Sequence, residues 1–482
     1  MKQLIAIAVA ELRLMRRSRL ALVGIATLLL LSGVAAVTSA TQMAAAASAR
    51  AEAQIATDAQ FKGQPNRHPH RMVHYGTYAV RPVGPLAAFD PGVDSFTGTL
   101  LFLEGHRQNS ATFGAARESS DLVRFGQLTP AFVLQTLAPL LLVFLGFASV
   151  ARERESGTLR SLSAHGAGAS AILGGKVMAL AAVALLALPP ALLALGWAAL
   201  RHPGESGIAA LIALGYGLYL LVWVVGIVAV SALARGAQGS LVTLITLWAV
   251  VVVLVPRAAA AWAGIAAPLP SRVDTEFAIA ADLRRMGDAH NPDDPHFLAF
   301  KAALLKKYGV TRTEDLPFNY RGVLGQEGER LTSQLFRQYA ARADAIQLAQ
   351  SAQLAALGVL SPALAVRRVS MVGAATDLGT HLAFMGDAEA YRYDMVQRLN
   401  GLQASTVSSA DDAARSKDPL ADQRTRISAD FWKTIPDFQF APPPPGARAT
   451  TMLPAMLQLT LWLAAALALL SLASRRLAAA SA

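Results

Sequence analysis

The residue types able to do chemistry gather at a few places in this 482-residue chain. The densest is Arg152-Glu153-Arg154-Glu155-Ser156-Gly157-Thr158-Leu159-Arg160, where both charge signs alternate between two long apolar runs. Charges of both signs in so short a segment favour a water-facing surface that pairs with other charges. Shortly after it, Gly174-Gly175-Lys176-Val177 invites a phosphate-loop reading, which needs a glycine where Ser170 stands and a Ser or Thr where Val177 stands. The reading fails, so the chain lacks that route to ATP and needs no nucleotide cofactor of its own. His68, His70 and His74, with Met72 among them, are ligand types for a soft or borderline metal. Prolines break that segment and the spacing is irregular, so it reads as a solvated loop and no metal is expected. The carboxylate pairs Asp90 and Asp94, and Asp411 and Asp412, have no accompanying base or nucleophile, and neither Gly-x-Ser-x-Gly nor His-Glu-x-x-His occurs. No catalytic residue is assigned and the chain does not read as an enzyme.

The elements that hold the charged segment are membrane spans. The chain is 54% hydrophobic and 16% charged, against about 25% charged in ordinary soluble domains. A helix of about twenty residues crosses a hydrocarbon core of about 30 Å. Six apolar runs reach that length, at 20–40, 130–150, 177–200, 208–233, 241–262 and 452–473. Pro189-Pro190 breaks the third and demands a kink packed against protein. Residues 1–19 read as an amphipathic elbow, with Ile5, Ile7, Leu12 and Leu14 toward lipid. The basic start and Thr38-Ser39-Ala40 also suggest a cleaved signal, but the apolar run exceeds the usual h-region, so a retained span is favoured. The net charge of +11 sits largely beside the spans, as the positive-inside rule expects for two cytoplasmic termini, a cytoplasmic loop at 151–176 and a tail at 474–482. That placement argues against a nucleic-acid partner. The chain has no cysteine, which excludes disulfides and thiolate sites.

Two stretches, 41–129 and 264–448, are left outside the membrane and on its far side. The first opens as strong helix former and then turns Pro/Gly-rich, with short strands at Thr77-Tyr78-Ala79-Val80 and Leu100-Leu101-Phe102-Leu103. The second, about 185 residues, is long enough for its own core and mostly helical in pattern, closing on the stiff run Pro442 to Pro445. The expected fold class is an all-α polytopic membrane protein, with six spans and a mostly helical external domain carrying some short strands. Inside the spans, Gln135 and Thr136 are candidates to line a pathway or to bond across helices, and Arg257 is a candidate for the pathway or for snorkelling to the outer interface.

Glu153, Glu155, Gly157, Thr158 and Leu159, followed by Gly175-Lys176, resemble the E-x-E-x-G-T-L…G-K segment of ABC-2-type exporter permeases. The run from Phe89-Asp90-Pro91-Gly92 through Glu104-Gly105-His106-Arg107, with Ser361-Pro362 and Ala388-Glu389-Ala390-Tyr391-Arg392, is similar to the sub-branch with large extracytoplasmic domains between spans one and two and spans five and six. The resemblance implies that Glu153, Glu155, Gly157, Thr158, Leu159, Arg160, Gly175 and Lys176 form a helix that docks on a separate ATPase. It also implies a homodimer or heterodimer of permeases in the bacterial inner membrane, exporting an unidentified substrate. Two alternatives stand beside it: a mechanotransmission complex that moves its external domain, with an external partner, while nothing crosses the bilayer, and a membrane-anchored binding protein with no ATPase.

Overall fold

In a computed structural model, residues 2–112, 127–287, 291 and 293–481 are described; parts of the two expected external regions, 113–126, 288–290 and 292, lie outside them. Helix α1 (Lys2–Arg17) ends where Ser18 caps α2 (Arg19–Lys62), its side chain accepting from the Ala21 N–H at 3.3 Å. α2 is unbroken, so the first span and the helix-rich stretch that follows it are one element. Leu28 and Ala35 bury into the bundle, while Val23, Leu30 and Val37 stay more than 60% exposed and supply an apolar outer face. α3 (Pro69–Tyr75) follows, then β1 (Thr77–Val80) and β2 (Leu100–Leu103), paired antiparallel with Thr77 opposite Leu103.

The second span runs through a helical lead at Pro130–Phe132, a π-helical turn at Val133–Leu137 and α4 (Ala138–Gly146), then on to α5 (Ala151–Glu155) and α6 (Thr158–Ala164). The third span is α7 (Ala169–Ala187), broken at Leu188 and continued by α8 (Pro189–Arg201), which is the kink expected of Pro189-Pro190. α7 begins before the expected position 177, so Gly175 and Lys176 lie inside the helix and not in a loop. Two consecutive glycines cost a helix about 1 kcal/mol each, and a neighbouring helix offsets that here by packing onto them. The fourth span, α9 (Ser206–Leu233), is the most buried of the six and forms the centre of the bundle. The fifth is α10 (Ala237–Trp248), a π-helical turn at Ala249–Leu254 and α11 (Val255–Ala266).

Helices at Arg272–Met286 and Pro295–Tyr308 lead to α12 (Tyr320–Ala356), α13 (Pro362–Gly373) and α14 (Leu378–Thr406). Short helices at Ser409–Ala414, Pro419–Arg424 and Asp430–Lys433 precede α15 (Pro445–Ser481), the sixth span. The protein is thus an all-α polytopic membrane protein which, among the described residues, has six helices long and apolar enough to cross a bilayer and a two-stranded sheet.

Two hydrophobic cores organise the chain. One joins the spans. The other, here called the cap, draws Phe61, Met72, Val73, Leu101 and Leu103 from the stretch between spans one and two together with Phe384, Met395, Leu399 and Trp432 from the stretch between spans five and six. The Ile427 N–H donates to the Arg67 carbonyl at 3.1 Å, and the Trp432 indole N–H to the Pro65 carbonyl at 3.2 Å, so the two regions are one folded unit. One element departs from the expectation that 264–448 stays outside the bundle. α13, about 18 Å long and too short to span, lays Val366, Val369 and Val372 into the core of the spans. Arg367 and Arg368 beside those valines hide its amphipathic stripe from a reading by mean hydropathy.

Candidate coupling site

α5 and α6 are small helices held at one end of the bundle by backbone chemistry. Gly157 joins them at φ 77°, and at this residue an added Cβ would meet nothing, so the glycine is required for its left-handed backbone and not for room. The N–H groups of Val150 and Ala151 donate to the Ser231 hydroxyl at 3.1 and 3.2 Å, and that hydroxyl donates to the Phe147 carbonyl at 2.7 Å. Arg154 reaches the Ala232 and Ala234 carbonyls at the last turn of α9. Unpaired carbonyls and the negative end of the helix dipole make this a natural seat for a guanidinium. Glu155 does the reverse at α10: its carboxylate accepts the Ala237 N–H at 2.9 Å, at the positive end of that helix. The missing Cβ of Gly236 leaves room for this seat; an added one would push the Glu155 carboxylate from where it sits.

Glu153 and Lys176 complete the arrangement. The buried Lys176 ammonium lies 2.7 Å from Glu153 and also pairs with Glu11 of α1. The elbow α1 therefore lies on α7, with Ile7 against Gly175, where an added Cβ would stand 2.7 Å from the isoleucine side chain. Ile7 faces this contact and not lipid, whereas Ile5, Leu12 and Leu14 are exposed. The Gln3 side-chain amide donates to the Gly166 carbonyl at 3.1 Å, fixing the elbow to the turn after α6. Leu159 anchors α6 in the bundle core. Arg152, Ser156, Thr158 and Arg160 remain exposed, and the Ser156 and Thr158 hydroxyls stand 2.8 Å apart. The segment is thus a two-helix joint tied to the elbow and to spans two, three, four and five.

A family model described as ABC-2 family transporter protein matches residues 5–276, more than half the chain and all of this joint. The chain belongs to the ABC-2 transporter family. A second model, a domain of unknown function (DUF3526), matches residues 275–441, which include most of the cap's second region and α13. No characterised protein matches the chain.

In this ABC-2 chain Gln135 and Thr136 lie where the second span departs from a regular α-helix. Pro139 has no N–H for the Gln135 carbonyl, and the helix opens into its π-turn there. The Tyr219 hydroxyl donates to that carbonyl at 2.7 Å and the Trp248 indole N–H to the Thr136 carbonyl at 3.1 Å. The Gln135 side chain donates to Tyr216 at 2.7 Å, and Tyr216 donates to Ser370 of α13 at 3.1 Å. The fifth span repeats the device: in its π-turn register Pro256 withholds the N–H that Val251 would have used, and Ser361 donates to that carbonyl instead. Gln135 thus bonds across helices through its side chain and its carbonyl, and Thr136 through its main-chain carbonyl. Arg257 is exposed on the outside of α11 and, among the described residues, makes no ion pair.

The segments that carry the resemblance in the cap converge. Phe89 stacks edge-on against Tyr216 at 5.1 Å, and Asp90-Pro91-Gly92 turns over the bundle with the Thr376 hydroxyl on the Asp90 carbonyl at 2.9 Å. Arg392 is clasped by Glu389 at 2.8 Å, Glu329 at 2.7 Å and the Glu104 carbonyl at 3.0 Å. Burial pushes the Glu329 carboxyl up, but the Arg392 guanidinium and the hydrogen bonds from the His106 N–H and the Ser333 hydroxyl together outweigh it and hold Glu329 below the usual range. Asp94 pairs with Arg81 at 2.7 Å, Asp411 with Arg424 at 2.7 Å and Asp412 with His68 at 3.1 Å, so these carboxylates are structural. Sequence reasoning missed α3: Pro69 at its first turn and His68 as its cap turn the expected loop into a helix.

Proposed function

We propose that this chain is the membrane-spanning subunit of an ABC exporter, coupling ATP hydrolysis by a separate ATPase subunit to transport across a bacterial inner membrane. It works as a dimer of permeases with two ATPases. The elbow, the 151–176 segment and both termini face the cytoplasm, and the cap stands outside. The observation that carries the reading is the joint at α5 and α6. Arg154 grips the end of α9, Glu155 the start of α10, and Glu153 with Lys176 ties α7 and the elbow, so a push on α6 is felt by four spans at once. An ATP-driven shift needs a stiff element with different contacts in two states. In this account the exposed Arg152, Thr158 and Arg160 touch the ATPase, and the internally bonded Glu153, Glu155 and Lys176 position them.

Purification of the full-length chain from detergent-solubilised membranes tests the reading. An ABC ATPase should co-elute, Arg160→Glu should weaken the association, and Glu155→Ala should keep it while lowering permease-stimulated ATP hydrolysis by about tenfold, the effect of about 1.4 kcal/mol. A preparation without an ATPase, or a reporter at Ser163 found outside the cell, overturns it. One observation favours a second reading, in which the cap is moved and nothing is transported. α2 runs without a break from the elbow into the cap core, where Phe61 is buried. ATP hydrolysis that shifts the cap in proteoliposomes without substrate flux would select that reading.

A further inference from the structure

The cap brings three imidazoles together on residues that no transport step above uses. α3 places His70 and His74 one turn apart on one face, and their Nε2 atoms stand 3.2 Å apart. Two nitrogens bound at about 2.05 Å to one tetrahedral zinc ion lie about 3.3 Å apart, so the pair already has the spacing of a chelate. His106, far along the sequence beyond β2, supplies the third ring, with centroids 5.4 Å from His74 and 6.0 Å from His70. One ring nitrogen from each of the three lies within 4.8 Å of the others. Closing the widest gap to about 3.3 Å takes about 1.5 Å, which side-chain rotation supplies.

The third histidine is held from behind. Its backbone sits at φ 62°, a left-handed conformation that costs a residue with a Cβ about 1 kcal/mol or more and that persists where the surroundings enforce it. The enforcing group is Glu329, which accepts the His106 N–H at 3.0 Å and stands 3.6 Å from His106 Nδ1. At 3.6 Å the carboxylate is not hydrogen-bonded to Nδ1, but the ring rotation that closes the chelate can bring the two together, giving the usual outer partner of a metal-binding histidine and leaving Nε2 for the ion. Glu329 is in turn fixed by Arg392 at 2.7 Å and Ser333 at 2.8 Å.

We propose that His70, His74 and His106 bind one divalent transition-metal ion of the borderline class, zinc(II) fitting best, with a fourth position open to solvent beside the exposed His74. Neutral imidazoles favour such ions over calcium or magnesium, which take oxygen ligands. A bound ion clamps α3 to the turn after β2 and, through Glu329, to α12 of the other cap region.

The test uses tag-free full-length protein in detergent, stripped with a chelator and dialysed. It is titrated with zinc chloride by calorimetry and with cobalt(II) by visible absorption. One ion per chain should bind, cobalt should give tetrahedral d–d bands that zinc abolishes, and H74Q and H106Q should each weaken zinc binding at least about 100-fold. His74 is exposed, so H74Q should melt with the wild type when metal is absent, which separates loss of a ligand from loss of fold. Absence of stoichiometric binding to the wild type, or zinc affinity unchanged in H74Q, overturns the proposal.

Discussion

Lys176 is a lysine with no access to water and two carboxylates for company, and its replacement is informative because the three charges stand or fall together. Lys176→Met alone leaves Glu11 and Glu153 facing each other uncompensated, and should cost about 3–5 kcal/mol. The triple variant Lys176→Met, Glu11→Gln, Glu153→Gln should regain most of that in thermal unfolding, and equal losses in the two variants would refute the account. His381 of α14 offers a test by pH. Burial, then the Arg81 guanidinium, holds its pKa down at about 4. The unfolded chain takes up the proton near pH 6.5 and the folded cap only near pH 4. Its contribution is therefore complete above pH 6.5 and lost progressively as pH falls toward 4. His381→Asn should flatten the fall in melting temperature across that window, and an unchanged slope would count against it. The glycines and charges of the 151–176 segment are visible in the sequence. Their partners are not, because Glu11, Ser231, Ala234 and Ala237 are brought near only by helix packing.

Among the elements, the six spans are legible because a bilayer demands continuous apolar length, and the strands at Thr77–Val80 and Leu100–Leu103 because turn residues punctuate them. α13 escaped because a short helix buried against other helices needs only one apolar stripe, which the neighbouring arginines mask in any averaged measure. Its far end is pinned by Arg448 of α15, buried, which donates to the Gly373 carbonyl at 2.6 Å and pairs with Glu205 before α9. Arg448→Leu should strand the Glu205 charge and free a helix-end carbonyl, a loss of about 3–5 kcal/mol. Glu205→Gln in the same chain should restore part of it in a detergent melt. Arg448→Leu with an unaltered melt would show that α13 is not held this way.

The molecule as a whole is a bundle of spans and a cap assembled from two regions far apart in sequence. A core shared by Val73, Leu101, Met395 and Leu399 implies one cooperative unit. Hydrogen exchange should therefore give those four amides the same opening free energy, and Arg392→Met, which leaves Glu329 and Glu389 buried without their counter-ion, should lower all four together. Separate values for the two regions would contradict a single core. Contact between the two regions is what six spans with both termini on one side lead one to expect; which residues meet is not, since no spacing rule links Glu104 to Arg392. α2 has 44 residues, hence a length of about 66 Å. It has the geometry of a lever arm, with its foot beside the elbow and its tip in the cap. A tilt of about 5° at the foot displaces the tip by about 6 Å, enough gearing to turn a sub-helical nudge at one surface into a stroke at the other.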